Sequence, residues 1–179
     1  RSGELVNAVY GFTRMLLKVI EDLRPSHLAV TFDLPKPTFR HQEFIGYQAQ
    51  RPKMDEALSD QIKRVFQVVE SLEIPIFTAE GYEADDVIGT LTKKAEAAGF
   101  TTYMMTPDKD FGQLVTEKSL MYKPARSGNS AEIWGPAEVC ERFKLDNTLQ
   151  VIDYLGLMGD AVDNIPGVPG VGPKTASTL

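Results

Sequence analysis

The sequence predicts an α/β fold, a parallel doubly wound sheet followed by a small glycine-rich element. Three observations predict it. Short apolar runs of strand character alternate with longer stretches whose apolar residues recur every three or four positions. The strand-like runs are followed closely by acidic residues, and from Gly159 onward the composition turns to glycine and proline. At 179 residues and 42% hydrophobic content, the chain is long enough for one substantial domain with a small appendage.

In order, Leu5, Val9, Phe12, Leu16, Val19 or Ile20, and Leu23 place a helix over 4–23, which Pro25 ends. His27 to Phe32 is a strand. Pro35 and Pro37 then break the chain, and a segment mixing aromatics with bases runs on to about Lys53. Leu58, Ile62, Val65, Val69 and Leu72 mark a helix over 54–72, and Ile74 to Thr78 the next strand. Ala84, Val87, Ile88, Leu91, Ala95 and Ala98 mark another helix, stopped by Gly99, before a strand from Thr101 to Thr106. Parallel strands joined through helices imply right-handed crossovers. Strands at Leu120–Lys123 and around Ile133, separated by the turn residues Arg126 to Ser130, read as a hairpin. Helices over 136–143 and 148–158 follow, and Pro173 suits the first position of a last helix. This divides the chain into a core of 1–147 and an appended element of 148–179, with no internal repeat.

Composition excludes several classes. No apolar run approaches the 18 or so residues of a membrane span, and no signal peptide is visible. The single cysteine, Cys140, rules out an internal disulfide framework, fits a reducing compartment, and in its apolar setting reads as a small buried side chain rather than a nucleophile. The net charge of −6 seemingly opposes a nucleic-acid partner. Eight of the 25 acids fall in four clusters, however, and the other 17 are outnumbered by 19 bases, so the location of the charges decides and not their sum.

Those clusters are Asp33; Glu83, Asp85 and Asp86; Asp108 and Asp110; and Asp160 and Asp163. The first three lie where strands end. In an open α/β sheet the ligand crevice lies beyond the carboxyl ends of the strands, so these acids are expected to converge there. Like charges gathered in one place need cations. His27 and His41 are not spaced as zinc ligands and the other candidates are all carboxylates, which favours Mg²⁺ or Mn²⁺; a pair of such ions is the machinery of phosphodiester cleavage. A plainer account stands beside this: Glu83, Asp85 and Asp86 complement a helix dipole for a few tenths to about 1 kcal/mol each, and the other acids form turns. It must be invoked at four places, whereas one site explains all.

Two segments suit nucleic acid. Gly167, Gly170 and Gly172 precede a helix start carrying Lys174 and Thr175, where backbone N–H groups attract phosphate, although the string is also an ordinary glycine-rich turn. Between Pro37 and Lys53, Phe39, Phe44 and Tyr47 interleave with Arg40 and Arg51, a pattern that suits single strands, while core packing is the alternative for the rings.

The chain carries Asn-Ala-Val-Tyr-Gly-Phe from Asn7, Phe-Asp at 32–33, Thr-Phe-Arg at 38–40, Gly-Tyr-Glu-Ala-Asp-Asp-Val-Ile-Gly-Thr-Leu from Gly81, Thr-Pro-Asp-Lys-Asp from Thr106, and Leu-Met-Gly-Asp through Lys-Thr-Ala from Leu157. In this order and spacing it resembles, over essentially its whole length, the 5′ nuclease domains at the front of bacterial DNA polymerases I, within the flap endonuclease family. The resemblance implies a PIN-like, resolvase-like core and a helix-hairpin-helix element that grips duplex DNA and holds a K⁺ ion. It also implies an arch over about 36–72 through which a single-stranded 5′ end passes. Glu83, Asp85, Asp108 and Asp110 would be nearest two Mg²⁺ or Mn²⁺ ions, with Asp33, Asp86, Asp160 and Asp163 completing the shells and Arg51 assisting catalysis. DNA would be met by Arg40, Tyr47, Arg51, Lys53, Gly167, Gly170, Gly172, Lys174 and Thr175.

The implied activity is 5′–3′ exonuclease and 5′-flap cleavage of DNA, and of RNA primers, in the bacterial cytoplasm during replication and repair, with a polymerase following and no membrane involved. Three departures qualify it. The family's first strand and its metal-binding aspartate are expected ahead of Asn7, Gln48 stands where the family usually places a phosphate-contacting lysine, and the closing helix stops at Leu179, so the chain reads as a fragment. The rival expectation is a non-catalytic fragment that binds DNA and metal. A metal-dependent RNase on the same sheet is a third, against which the 167–176 hairpin argues.

Overall fold

A computed structural model of the chain describes residues 3–52, 54–124 and 131–179. Helix α1 (Asn7–Leu23) buries Leu16 and Val19 on the side that meets α3 (Glu56–Ser71), whose Val65 and Val69 answer them. Both helices follow the expected periodicity with frayed ends trimmed. The chain leaves α1 at Arg24, which adopts the left-handed conformation just ahead of Pro25. The segment expected as an arch carries the short α2 (Phe39–Glu43) in its first half and α3, packed against α1, in its second. His41 caps α2 by accepting from the Thr38 N–H at 3.2 Å, and His27 packs edge-on against Phe100, so both histidines are structural.

The strands are shorter than their apolar runs. Strand β1 (Val30–Thr31) pairs in parallel with β2 (Ile76–Phe77), and β3 (Thr102–Met105) in parallel with β4 (Ser119–Lys123). β5 (Glu132–Trp134) joins β4 antiparallel, forming the expected hairpin, whose turn residues lie outside the described ones. Among the described residues β1 and β3 do not pair with one another, so the expected single sheet is divided in two. Helix α4 (Ala84–Ala97) packs against both β1 and β3 and spans the division.

The β3–β4 crossover is a 3-10 helix over Lys109–Leu114 that sequence periodicity did not foresee. It drives Phe111 and the following Val115 into the main core with Met104, Met121, Val139, Phe143 and Val151. Gly112 is closely packed there, since a Cβ would lie 3.3 Å from both the Phe143 and Val139 side chains, which would have to give way by a few tenths of an ångström. Val139 and Phe143 come from α5 (Pro136–Phe143) and Val151 from α6 (Gln150–Met158), so the start of the appended element shares this core. Cys140 on α5 is half-buried rather than buried. Beyond α6, a tight hairpin of β6 (Gly159–Asp160) and β7 (Ile165–Pro166) leads to α7 (Pro173–Ala176), with Pro173 at its start as expected. Among the described residues no helix is long and apolar enough to cross a membrane.

Candidate active site

The acids are placed by the strand ends and by the start of α4. Asp33, just past β1, accepts the Ala84 N–H at 2.7 Å, and Glu83 caps α4 while its own N–H donates to Asp86 at 3.0 Å. Arg40 reaches across from α2 with two hydrogen bonds to Asp86, at 2.7 and 2.8 Å, and stands 3.7 Å from Glu83. That fork, opposed by burial, holds the Asp86 carboxyl below the usual range and lifts the guanidinium above its own.

Past β3, Asp108 caps the 3-10 helix by accepting the Asp110 N–H at 3.0 Å. Lys109 between them turns to Asp160, 2.6 Å away, and also stands 3.3 Å from Asp110. Burial works to raise the Asp160 carboxyl, but the Lys109 ammonium and the N–H groups of Val162 and Asp163 prevail and hold it low. Asp163 faces Gln48 at 3.0 Å and the Tyr47 hydroxyl at 3.4 Å.

Asp85 differs from its neighbours. Among the described residues no hydrogen bond or ion pair reaches its carboxylate, and burial of that group, then the charges of Asp108, Asp33, Glu83 and Asp86, push it up to about 6. Asp110 is raised too, by burial and then Asp108, and its buried Oδ1 has the Lys109 ammonium 3.3 Å away as an ion pair but no hydrogen bond.

The expected convergence is therefore looser than read from sequence: among the described residues no three His, Cys, Asp or Glu side chains are gathered tightly enough to hold an ion. The reason is electrostatic. Like charges draw apart, and Arg40, Lys109, Tyr47 and Gln48 serve as local partners for Asp86, Asp160, Glu83 and Asp163. The donor set still fits a hard divalent cation, because every group is an oxygen donor, Asp85 has no protein donor among the described residues, and Asp110 has the Lys109 ammonium only in common with Asp160.

The nucleic-acid candidates divide. Tyr47 is only 6% exposed, with its ring edge-on to His41 and its hydroxyl donating to Glu83 at 3.1 Å, so it faces inward and has no open face for a base. Arg40 is likewise engaged with acids. Arg51 is exposed, and its guanidinium has no partner among the described residues; Lys174 and Thr175 are exposed on α7. Lys53 lies outside the described residues.

Gly167 is demanded by its own hairpin, since a Cβ would lie 2.3 Å from the Met158 carbonyl oxygen, and Gly170 by a φ of +80°. Gly172 has open space around it. Sequence reasoning missed Lys109 and Asn164 as site residues and Gln48 as a donor to Asp163. The Asp-Lys-Asp string at 108–110 was the available signal for Lys109, since an ammonium flanked by two acids has a reason to turn inward.

All but residues 145–146 are covered by two consecutive family models, the 5′–3′ exonuclease N-terminal resolvase-like domain over residues 1–144 and the 5′–3′ exonuclease C-terminal SAM fold over residues 147–179. The chain belongs to the 5′–3′ exonuclease family. Relatives in this family include DNA polymerase I of Bacillus subtilis, 44% identical over 177 residues, 99% of this chain and 20% of that protein. A 5′–3′ exonuclease of Aquifex aeolicus is 42% identical over 99% of this chain and 60% of its own length. The chain thus spans about a fifth of the polymerase relatives it matches.

Among solved structures, a T5 5′-exonuclease mutant superposes with a TM-score of 0.77 at 22% identity, over 94% of this chain and 63% of that one. A phage T5 flap endonuclease pseudo-enzyme–product complex with DNA and metal ions gives 0.76 at 20%, over 99% and 67%. At such identities the likeness concerns the fold, and it agrees with the resolvase-like core and SAM-like end of the exonuclease family.

Proposed function

We propose that the chain carries the nuclease function of its family: hydrolysis of DNA phosphodiesters at the junction between a single-stranded 5′ end and a duplex, with two Mg²⁺ or Mn²⁺ ions. Asp85 carries this reading, as a carboxylate crowded by Asp33, Glu83, Asp86 and Asp108 and left without a protein counter-ion. Glu83, Asp85, Asp108 and Asp110 would hold the ions most closely, with Asp33, Asp86, Asp160 and Asp163 around them. Bound ions supply Lewis-acid stabilisation of the charge that develops on the phosphate oxygens.

The protein's own part is to bind and orient. Arg51, free among the described residues, takes a phosphate beside the acids, while Lys174, Thr175 and the backbone around Gly170 and Gly172 hold the duplex. The same reading extends to RNA primers, a K⁺ ion at the hairpin, a following polymerase, and work in replication and repair in the bacterial cytoplasm.

Calorimetric titration with Mn²⁺ or Mg²⁺ is expected to show binding that weakens strongly in Asp108→Asn plus Asp110→Asn; unchanged binding in that double variant removes the site. With DNA, Lys174→Ala and Arg51→Ala should each lower affinity and reduce the salt slope by about one unit. The division of the sheet between β1 and β3 favours a second reading, a module that binds DNA and metal without cutting. Retained binding with no cleavage of a 5′-flap duplex selects it.

A further inference from the structure

The loop over residues 44–50 lies against Asp163 and Asn164, far away in sequence, and four hydrogen bonds and a close hydroxyl contact join the two. Gln48 gives its backbone N–H to the Asp163 carbonyl at 3.0 Å and its side-chain amide to Asp163 Oδ1 at 3.0 Å. Tyr47 Oη faces Asp163 Oδ2 at 3.4 Å, Asn164 Nδ2 donates to the Gly46 carbonyl at 2.8 Å, and Gln50 Nε2 donates to Asn164 Oδ1 at 3.3 Å.

Gln48 is the centre of this seam. An amide nitrogen carries two hydrogens, and both are used, since Nε2 also reaches Tyr47 Oη at 3.2 Å, which in turn donates to Glu83 at 3.1 Å. A continuous relay runs from Asp163 through Gln48 and Tyr47 to Glu83 at the start of α4. The Gln48 carbonyl accepts the Arg51 N–H at 2.9 Å, so Arg51 departs from the same point. Gln48 and Asn164 both adopt left-handed backbone, at φ +53° and +58°; asparagine takes it readily, whereas glutamine does so less often, and here both its N–H and its side chain are held by Asp163.

We propose that Gln48 is a positioning residue, a latch that makes the loop and the C-terminal hairpin one body so that a duplex held by the hairpin sets where Arg51 and Glu83 stand against the scissile phosphate. The proposal rests on the nuclease reading for its consequence but not for its geometry. Misplacement by a fraction of an ångström slows a reaction without weakening distant grip.

The test uses Gln48→Met, which keeps length and removes both donors, with a thermal melt to confirm folding. In metal-free buffer without DNA, backbone hydrogen exchange is expected to quicken by about tenfold in both 44–50 and 160–166. Gln48→Glu alone should do the same. Combined with Asp163→Asn it re-forms the bond with donor and acceptor exchanged, and protection is expected to return; this pair is read by exchange only, since Asp163 belongs to the proposed ion set. On a 5′-flap duplex, Gln48→Met should lower kcat by about tenfold while KM and metal-free duplex affinity stay within about twofold.

Exchange that quickens in 44–50 alone, or that the paired exchange of side chains fails to restore, overturns the latch. If the wild-type chain does not cut, the nuclease reading falls and the exchange results still decide the latch. If it cuts and kcat is unchanged by Gln48→Met, positioning falls and the nuclease reading stands.

Discussion

Asp85 and Asp86 are adjacent in sequence and opposite in electrostatics. Asp86 has the Arg40 fork and a depressed carboxyl, so the stability it lends is present above the ordinary value of 3.8 and lost as pH falls through it. Asp85, pushed up to about 6 from 3.8, binds a proton in the folded state that the unfolded chain has already released, so stability declines as pH rises across that interval and the penalty is complete above it. Asp85→Asn should therefore stabilise the metal-free protein at neutral pH by about 1 kcal/mol, well short of the full linkage value because the side chain, though crowded by its neighbours, keeps more than a third of the residue's surface in water. Below about pH 4 the advantage should vanish. Urea melts at the two pH values check this, and an equal gain at both would mean that charge is not the cause. Addition of Mg²⁺ should raise the melting temperature of the parent more than that of Asp85→Asn. At this scale the acids were legible, because acids following strand-like runs announce themselves in order. Their partners were not: Arg40 lies 46 positions from Asp86 and Lys109 lies 51 from Asp160, and no local pattern records who meets whom.

The helices were legible to within a few residues at most ends, as periodic burial is a local property that α1, α3, α4 and α5 each display. Strand lengths were not. The run from His27 to Phe32 pairs only at Val30 and Thr31, because a residue counts as strand only where a neighbour offers hydrogen bonds. The 3-10 crossover escaped because a short turn of period three with a glycine at its centre resembles a loop. The hairpin between α6 and α7 makes a prediction at this scale. Gly159 and Gly167 approach so closely that a Cβ on Gly159, whose φ is +66°, would stand 2.2 Å from the Gly167 nitrogen. Gly167→Ala would drive its methyl into the Met158 carbonyl and is expected to destabilise by about 1–3 kcal/mol and to impair duplex binding. Gly172→Ala meets open space and should leave the melting temperature nearly unchanged. Thermal melts of the two variants, with duplex binding alongside, distinguish a glycine demanded by packing from one that only permits close approach; equal losses would refute the distinction.

Across the whole molecule, the division between β1 and β3 has physical consequences. Among the described residues each strand pairs with one neighbour only, β1 with β2 and β3 with β4, which leaves a second edge of backbone pairing groups on each. The chain is expected to self-associate with rising concentration through these edges. Light scattering over a range of concentrations checks this, and a chain that stays monodisperse throughout would show that the edges are harmless. The sequence by itself determined the alternation of helix and strand, the acids beyond the strand ends, the glycine-rich hairpin and the family, since each is written in local composition, spacing or ordered motifs. Only the tertiary structure decided that Tyr47 turns inward, that Arg40 and Lys109 are spent on acids while the Arg51 guanidinium has no partner among the described residues, and that Gln48 ties the loop to Asp163. Those outcomes depend on contacts between residues tens to more than a hundred positions apart, where chain geometry brings charges and donors together and the balance of burial, repulsion and hydrogen bonding selects the partner.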